Sequence, residues 1–221
     1  KDFPDLLAGR DRKYGGTWMG MTRTGRFGAV TNFRDRTESR EHPLSRGLMV
    51  KTYLTGEGKP EDFIKEILPR EQRYNGFNLI VGDPSSFIYY SNRSRDMTPL
   101  KPGVYGLSNH LLDTPWPKVT RSRRAFIQTL EESDFPGPER FFEILSDRTI
   151  AGDEELPDTG FGIEWERILS SPFIVSPTYG TRASTVLLQD SKGHVTFVEK
   201  TFAEPGDPGT TIRHEFTLIG R

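Results

Sequence analysis

Tyr74-Asn75-Gly76-Phe77-Asn78-Leu79-Ile80-Val81-Gly82-Asp83, followed by Pro84-Ser85 and Ser86-Phe87-Ile88-Tyr89-Tyr90-Ser91-Asn92, decides the reading of the fold. Asn75-Gly76 is a turn signal, and the apolar run after it reads as a buried strand. Asp83-Pro84-Ser85 turns the chain, and the aromatic, β-branched run from Ser86 to Asn92 reads as the hairpin partner. So short a connection requires antiparallel pairing.

Upstream, Thr17-Trp18-Met19-Gly20-Met21-Thr22-Arg23 and Arg26-Phe27-Gly28-Ala29-Val30-Thr31-Asn32-Phe33 are joined by Thr24-Gly25, a second predicted hairpin. The small residues Gly20, Gly28 and Ala29 point to close sheet packing or to close approach of backbone and ligand. Residues 48–54 look helical, with Ser45 as a candidate cap. Residues 60–68 read as a helix with Pro60, Glu61 and Asp62 at its start and Pro69 at its end. Downstream, 118–132 and 138–145 read as helices, and 151–162 as an acidic loop with Gly and Pro. Residues 183–188, 194–202 and 211–218 read as strands, separated by turns at 190–193 and 204–209. Strands far apart in sequence must share sheets, so the order predicts one α+β domain over residues 1–221, antiparallel sheet packed on helices.

The chain has 221 residues, 28% charged and 11% aromatic, which suits a soluble globular protein. Lys and Arg number 30 against 31 Asp and Glu, a net charge of -1. That balance gives no field favouring nucleic acid. No apolar run approaches the roughly 20 residues of a membrane helix. Cysteine is absent, so the 221 residues offer no disulfide, thiolate ligand or thiol nucleophile. No two of the histidines His42, His110, His194 and His214 stand at helical metal-ligand spacing, which argues against a local zinc motif.

Val104-Tyr105-Gly106-Leu107-Ser108-Asn109-His110-Leu111-Leu112-Asp113-Thr114-Pro115-Trp116-Pro117-Lys118-Val119 combines a strand-like start, an Asn-His pair, an Asp-Thr turn and a Trp between prolines. Asn109 offers donor and acceptor, and His110 can donate, accept or ligate. The plain alternative is a rigid loop around a buried Trp116. Asn32, Asn78, Asn109 and Arg182 stand at predicted strand ends. There, amides could stabilise an oxyanion and Arg182 could hold a carboxylate, or each could merely cap a turn. Glu164 and Glu166 read as solvated. Arg121, Arg123, Arg124 and Lys118 read as a solvated helix face or as a grip on phosphate or carboxylate. Neither dinucleotide, Walker nor Gly-x-Ser-x-Gly spacing occurs.

Taken in order, Ala8-Gly9-Arg10-Asp11, Gly15-Gly16-Thr17-Trp18-Met19-Gly20, Thr31-Asn32-Phe33-Arg34 and Ser45-Arg46-Gly47 form the first half of a recurring set. Tyr74-Asn75-Gly76-Phe77-Asn78-Leu79, the 104–119 segment, Leu156-Pro157-Asp158-Thr159-Gly160 and Tyr179-Gly180-Thr181-Arg182-Ala183-Ser184-Thr185-Val186 complete it. The set resembles the NRDE-motif family, also called the transport-and-Golgi-organisation family, over about residues 4–216. The resemblance implies a four-layer α-β-β-α sandwich like that of N-terminal nucleophile hydrolases. Family members begin Met-Cys and carry Asn-Arg-Asp-Glu soon after. Neither stands in these 221 residues, so the resemblance implies a preceding segment that holds the nucleophile.

By a looser analogy to bile-salt hydrolases and penicillin V acylases, Asn32 and Asn109 resemble the oxyanion-hole donors and Arg182 the Arg that supports the nucleophile. The family resemblance also implies haem trafficking and lipid or acyl-CoA homeostasis. For haem it points to His110 as the axial metal ligand, Trp116 as an apolar wall, Arg182 or Arg46 for propionates, and His42 as a second ligand. Three functions follow as expectations: a haem or amphipathic-cofactor carrier, a cysteine amidase or thioesterase acting on acyl amides or acyl-CoA, and a non-catalytic interaction module in lipid and membrane traffic. The expected compartment is the cytoplasm, with mitochondrial or Golgi association as variants, and the chain is expected not to span a membrane.

Overall fold

The computed structural model describes residues 3–36, 43–204 and 206–220. Two compact units divide the chain: Lys1–Gly103 with Leu107–Leu112 and Leu218–Arg221, and Val104–Gly106 with Asp113–Thr217. In the first unit the strands are β1 (Leu6–Ala8), β2 (Met19–Thr22), β3 (Phe27–Asn32), β4 (Phe77–Gly82), β5 (Phe87–Ser91) and β6 (Met97–Pro99). They form one sheet in that same order, every neighbouring pair antiparallel. The 74–92 hairpin stands as predicted, with Leu79 opposite Tyr90 and Val81 opposite Ile88. β1 and β6 were not anticipated; strands of three residues are too short to show an alternating pattern.

Two helices, α1 (Arg46–Thr55) and α2 (Pro60–Ile67), connect β3 to β4. α2 follows its sequence signals: Pro60 opens it, Glu61 and Asp62 fill its first turn, and Ile64 and Ile67 are buried. At Leu68-Pro69 the chain tightens into a 3-10 turn, Leu68–Arg73. Ser45 occupies the N-cap position of α1, but its side chain makes no capping hydrogen bond, contrary to expectation.

Glycines fix α1 instead. A Cβ on Gly16 would come within 2.4 Å of the Gly47 carbonyl carbon, so the two backbones touch directly. The Thr17 N–H donates to the Gly47 carbonyl at 3.0 Å. A Cβ on Gly20 would meet Ala8 Cβ at 2.7 Å and Leu54 Cδ1 at 2.9 Å, and one on Gly28 would meet Val50 Cγ1 at 3.2 Å. Of the two readings of these small residues, close packing accounts for Gly20 and Gly28.

Tyr53, Ile64, Ile67, Phe77, Leu79, Val81 and Tyr90 form the wholly buried centre. Its hydroxyls are all satisfied. Tyr53 donates to the Gly82 carbonyl at 2.8 Å, and burial pushes its hydroxyl up to about 12. Tyr90 donates to the Glu71 carboxylate, whose other oxygen meets Arg95 Nε at 3.1 Å. Burial and then the Glu71 carboxylate push the Tyr90 hydroxyl up. Such pairing is what makes buried polar groups tolerable.

The second unit holds α3 (Pro117–Glu132), α4 (Pro138–Leu145), α5 (Ile163–Ile168) and an antiparallel sheet of β7 (Ala183–Gln189), β8 (His194–Phe202) and β9 (Pro208–Thr217). Phe141 and Phe142 of α4 pack with Val186 and Val198 of that sheet. Each unit therefore combines helices with antiparallel sheet, as the α+β expectation requires.

Three expectations are corrected here. Val104 does not begin a strand; its carbonyl accepts from Arg123 Nε at 2.9 Å. Glu166 is not solvated but 2% exposed, accepting from the Thr159 hydroxyl and, at 3.0 Å, from the Thr159 N–H. Nor are Arg121, Arg123 and Lys118 simply a solvated helix face. Arg121 Nε meets Asp147 at 3.3 Å, and Lys118 Nζ donates to the Leu169 carbonyl at 3.0 Å.

The glycine contact makes a direct prediction. Gly16→Ala lowers the stability of the chain by about 1–3 kcal/mol in urea unfolding, because the new methyl meets backbone that cannot yield. Gly9→Ala, whose Cβ meets nothing within 4 Å, stays within about 0.5 kcal/mol. Equal effects at the two positions would contradict the close approach.

Candidate functional site

The site lies where β3 leaves the sheet. Thr31 and Asn32 pair with Asn78 and Phe77 of β4. Asn78 is 0% exposed, a lone amide in an apolar strand. Its Nδ2 donates to Thr31 Oγ1 at 3.1 Å and to the His110 carbonyl at 2.9 Å. Its Oδ1 accepts from the Tyr89 hydroxyl at 2.8 Å. That hydroxyl in turn accepts the Leu112 N–H at 3.1 Å, and Thr31 Oγ1 donates to the Ser108 carbonyl at 2.8 Å. The Leu107–Leu112 segment is thus bolted to the end of the sheet by side chains from three strands.

Asn109 completes the fastening. Its Nδ2 donates to the Asn32 carbonyl at 3.1 Å, and its own carbonyl accepts the Arg34 N–H at 2.6 Å. The two residues expected to act together as amide donors are therefore neighbours. Asn32 is exposed, and among the described residues none hydrogen-bonds its side-chain amide. One Nδ2 hydrogen of Asn109 is spent on the Asn32 carbonyl; an amide NH2 has a second.

Beside this pair runs a strip of aromatic and cationic groups. The His110 ring lies 4.8 Å from the Phe33 ring. The Arg93 guanidinium stands 5.6 Å from the centre of that same Phe33 ring. The Phe33 N–H donates to the Gly76 carbonyl at 2.9 Å, which also accepts from Arg46 Nη1 at 2.9 Å. Arg46 then lies 5.9 Å from the ring of Trp18, which is 46% exposed. Burial holds the His110 imidazole below its ordinary 6.5, so it is neutral at pH 7. Burial also lowers Arg46, which stays charged all the same.

Arg182 and Trp116 belong to the second unit. Arg182 Nη1 donates to the Ala203 carbonyl at 2.6 Å. Trp116 is buried just before α3, its ring 5.9 Å from the Lys118 ammonium. His42 lies outside the described residues. Among the described residues no group of three or more His, Asp and Glu could hold a metal ion. Phe33, Tyr89 and Thr31 went unrecognised from sequence. The available signal was Asn78 itself, since an amide inside an apolar strand must find partners.

Comparison with known proteins bears on this geometry. The profile of the family described as Transport and Golgi organisation 2 matches residues 1–204. The Transport and Golgi organization protein 2 homolog of Bos taurus is 36% identical over 234 residues, covering 97% of this chain and 83% of the relative. The Homo sapiens homolog is 33% identical over 231 residues, with the same coverage. The Drosophila melanogaster protein of that name is 24% identical over 219 residues, 89% of this chain and 75% of the relative.

The chain belongs to the Transport and Golgi organisation 2 family. The profile takes in all of the first-unit site described above. No helix among the described residues of this family member is long and apolar enough to cross a membrane.

Two outcomes test the site's construction. Asn78→Leu, which strands the Tyr89 hydroxyl and the His110 carbonyl, costs about 1–3 kcal/mol and speeds hydrogen exchange at the Leu112 amide. Unchanged exchange there would show that the segment is held by something else. The second concerns pH. The folded value of His110 is depressed, so its contribution to stability is complete above the unfolded 6.5 and is lost as pH falls through the lower folded value. His110→Gln therefore flattens the loss of stability as pH falls below the unfolded 6.5; an unaltered slope would refute this.

Proposed function

We propose that this chain binds haem, or a related amphipathic cofactor bearing carboxylates, at the exit of β3 and hands it on. One observation carries the reading: His110 and Arg46, two of the residues expected to meet haem, are linked through Phe33 and Gly76 by a ring contact and a shared carbonyl. A macrocycle needs apolar faces, which the Phe33 and Trp18 rings supply. Its propionates need cations, for which Arg46 stands beside the Trp18 ring. A neutral imidazole is the form that ligates iron. His110 is half-buried, and its backbone carbonyl accepts from the Asn78 amide. Haem here is cargo, and a carrier has to release what it binds. Arg182, Trp116 and His42 remain a second set proposed by the family resemblance.

The adjacency of Asn109 and Asn32 favours a second reading, a cysteine amidase or thioesterase acting on acyl amides or acyl-CoA. Two asparagines held next to each other are a source of amide donors for the oxygen of a tetrahedral intermediate. The nucleophile of that reading is the N-terminal Cys that the family resemblance implies. Both readings rest on an N-terminal nucleophile hydrolase scaffold, for which the helices and antiparallel sheet of each unit are the support. The third reading is a non-catalytic interaction module in lipid and membrane traffic, with the cytoplasm as the proposed compartment.

Titration with ferric haem, followed at the Soret band, tests the first reading. One equivalent per chain is expected. His110→Ala should move the band and weaken binding by about tenfold or more, and Arg46→Ala should weaken binding without moving the band. Wild-type behaviour in both variants would contradict the proposal. A turnover of acyl thioesters that falls by about 10²-fold in Asn109→Ala would put the hydrolase first.

A further inference from the structure

The loop that carries Asn109 and His110 leaves the chain at Gly106 and rejoins it at Asp113, and those two residues are tied to each other twice. The Asp113 N–H donates to the Gly106 carbonyl at 2.7 Å, and the Gly106 N–H donates to Asp113 Oδ1, also at 2.7 Å. We propose that Asp113 is a positioning residue of the β3-exit site: its side chain closes the neck of this loop and thereby holds Asn109 and His110 in place for the ligand. This assignment rests on the reading of that exit as a binding site, but what it asks of Asp113 is loop order, which is measurable without any ligand.

The closure demands an uncommon backbone. Asp113 has φ +55°, and among the described residues only Arg95 is another non-glycine residue at positive φ. Asp and Asn enter that region more readily than other side chains because a short polar group can bond to nearby backbone. Here the bond reaches back across seven residues. A turn cap spans two or three; this one shuts a whole loop and removes the freedom of its two ends to part.

The neck is seated on α3. A Cβ on Gly106 would meet Val119 Cγ1 at 2.5 Å, so the Gly106 backbone lies directly against that side chain. One helical turn further on, Arg123 Nε donates to the Val104 carbonyl at 2.9 Å and lies 3.9 Å from Asp113 Oδ1. Val119 and Arg123 are four residues apart and share a face of the helix. The chain entering the loop and the residue that closes it therefore meet the same face. The Asp113 and Arg123 side chains are 41% and 47% exposed, so their ion pair contributes little by itself. The hydrogen bond to Gly106 is the part that shuts the neck.

Elsewhere the loop is held by its backbone, at the Ser108 and His110 carbonyls and the Leu112 N–H. A loop pinned along one side still swings about open ends, and a binding constellation needs its groups held to a fraction of an ångström. Asp113 supplies that last restraint.

Nitrogen-15 relaxation tests the proposal. In the wild type the Asn109 and His110 amides should have the order parameter of rigid backbone, about 0.85. Asp113→Gly keeps the backbone conformation, which glycine adopts freely, and removes the acceptor. Order at both amides should then fall below about 0.6, and the affinity for ferric haem should weaken by about tenfold. Asp113→Asn keeps an acceptor oxygen and tolerates the same φ, so it should restore both. The wild type offers a check that needs no variant: the Gly106 and Leu112 amides should exchange hydrogen through one common opening, with protection equal within about threefold. Unchanged order in Asp113→Gly, failure of Asp113→Asn to restore it, or a Leu112 amide protected far beyond Gly106 would overturn the proposal. Loss of order in Asp113→Gly, in a chain whose wild type gives no saturable Soret change, would uphold the neck and remove haem from the site.

Discussion

A buried amide must be paired, and in this chain the Asn78 side chain meets that demand in a way that builds the site. With no exposure to water, it has to find two acceptors for its Nδ2 hydrogens and a donor for its Oδ1 inside the protein. It finds them on Thr31, His110 and Tyr89. Each of those contacts pulls in another: Thr31 takes the Ser108 carbonyl, and Tyr89 takes the Leu112 N–H. A segment with no strand or helix of its own is thereby fixed to the sheet end. Hydrogen bonds of this kind contribute little each but are expensive to break singly, so the group acts together. Asn109 and His110 inherit their positions from it.

The opposite constraint, absence of side chain, sets the other half of the first unit. Gly16 against Gly47 lets α1 come down onto the loop before β2. The cations Arg46 and Lys51 both stand on α1, on either side of that contact. Arg46 reaches the Gly76 carbonyl and the Trp18 ring, whereas Lys51 lies over the Phe3 ring. One rigid backbone contact therefore places both cations.

Legibility in the sequence followed physical cause. α2, α4 and the β4–β5 hairpin were readable because proline, acids and apolar periodicity all agreed locally. β1 and β6 were not, because edge strands of three residues carry no period. Val104 misled because a β-branched residue beside Tyr105 has strand propensity, yet no partner strand takes it up. Glu166 misled because its burial depends on Thr159, which is brought to it by the fold. In the site, Asn32, Asn109, His110 and Arg46 could be singled out by residue type and family resemblance. Their linkage through Phe33 and Gly76 could not, since it depends on ring packing and a shared carbonyl between residues distant in the chain.

Chemical-shift mapping of the chain with gallium protoporphyrin, a diamagnetic stand-in for haem, bears most directly on the claim that the β3 exit is the binding surface. The account predicts saturable shifts at Phe33, Gly76, Asn109 and His110 and at the Trp18 indole. Shifts confined to α3, or none that saturate, would contradict it.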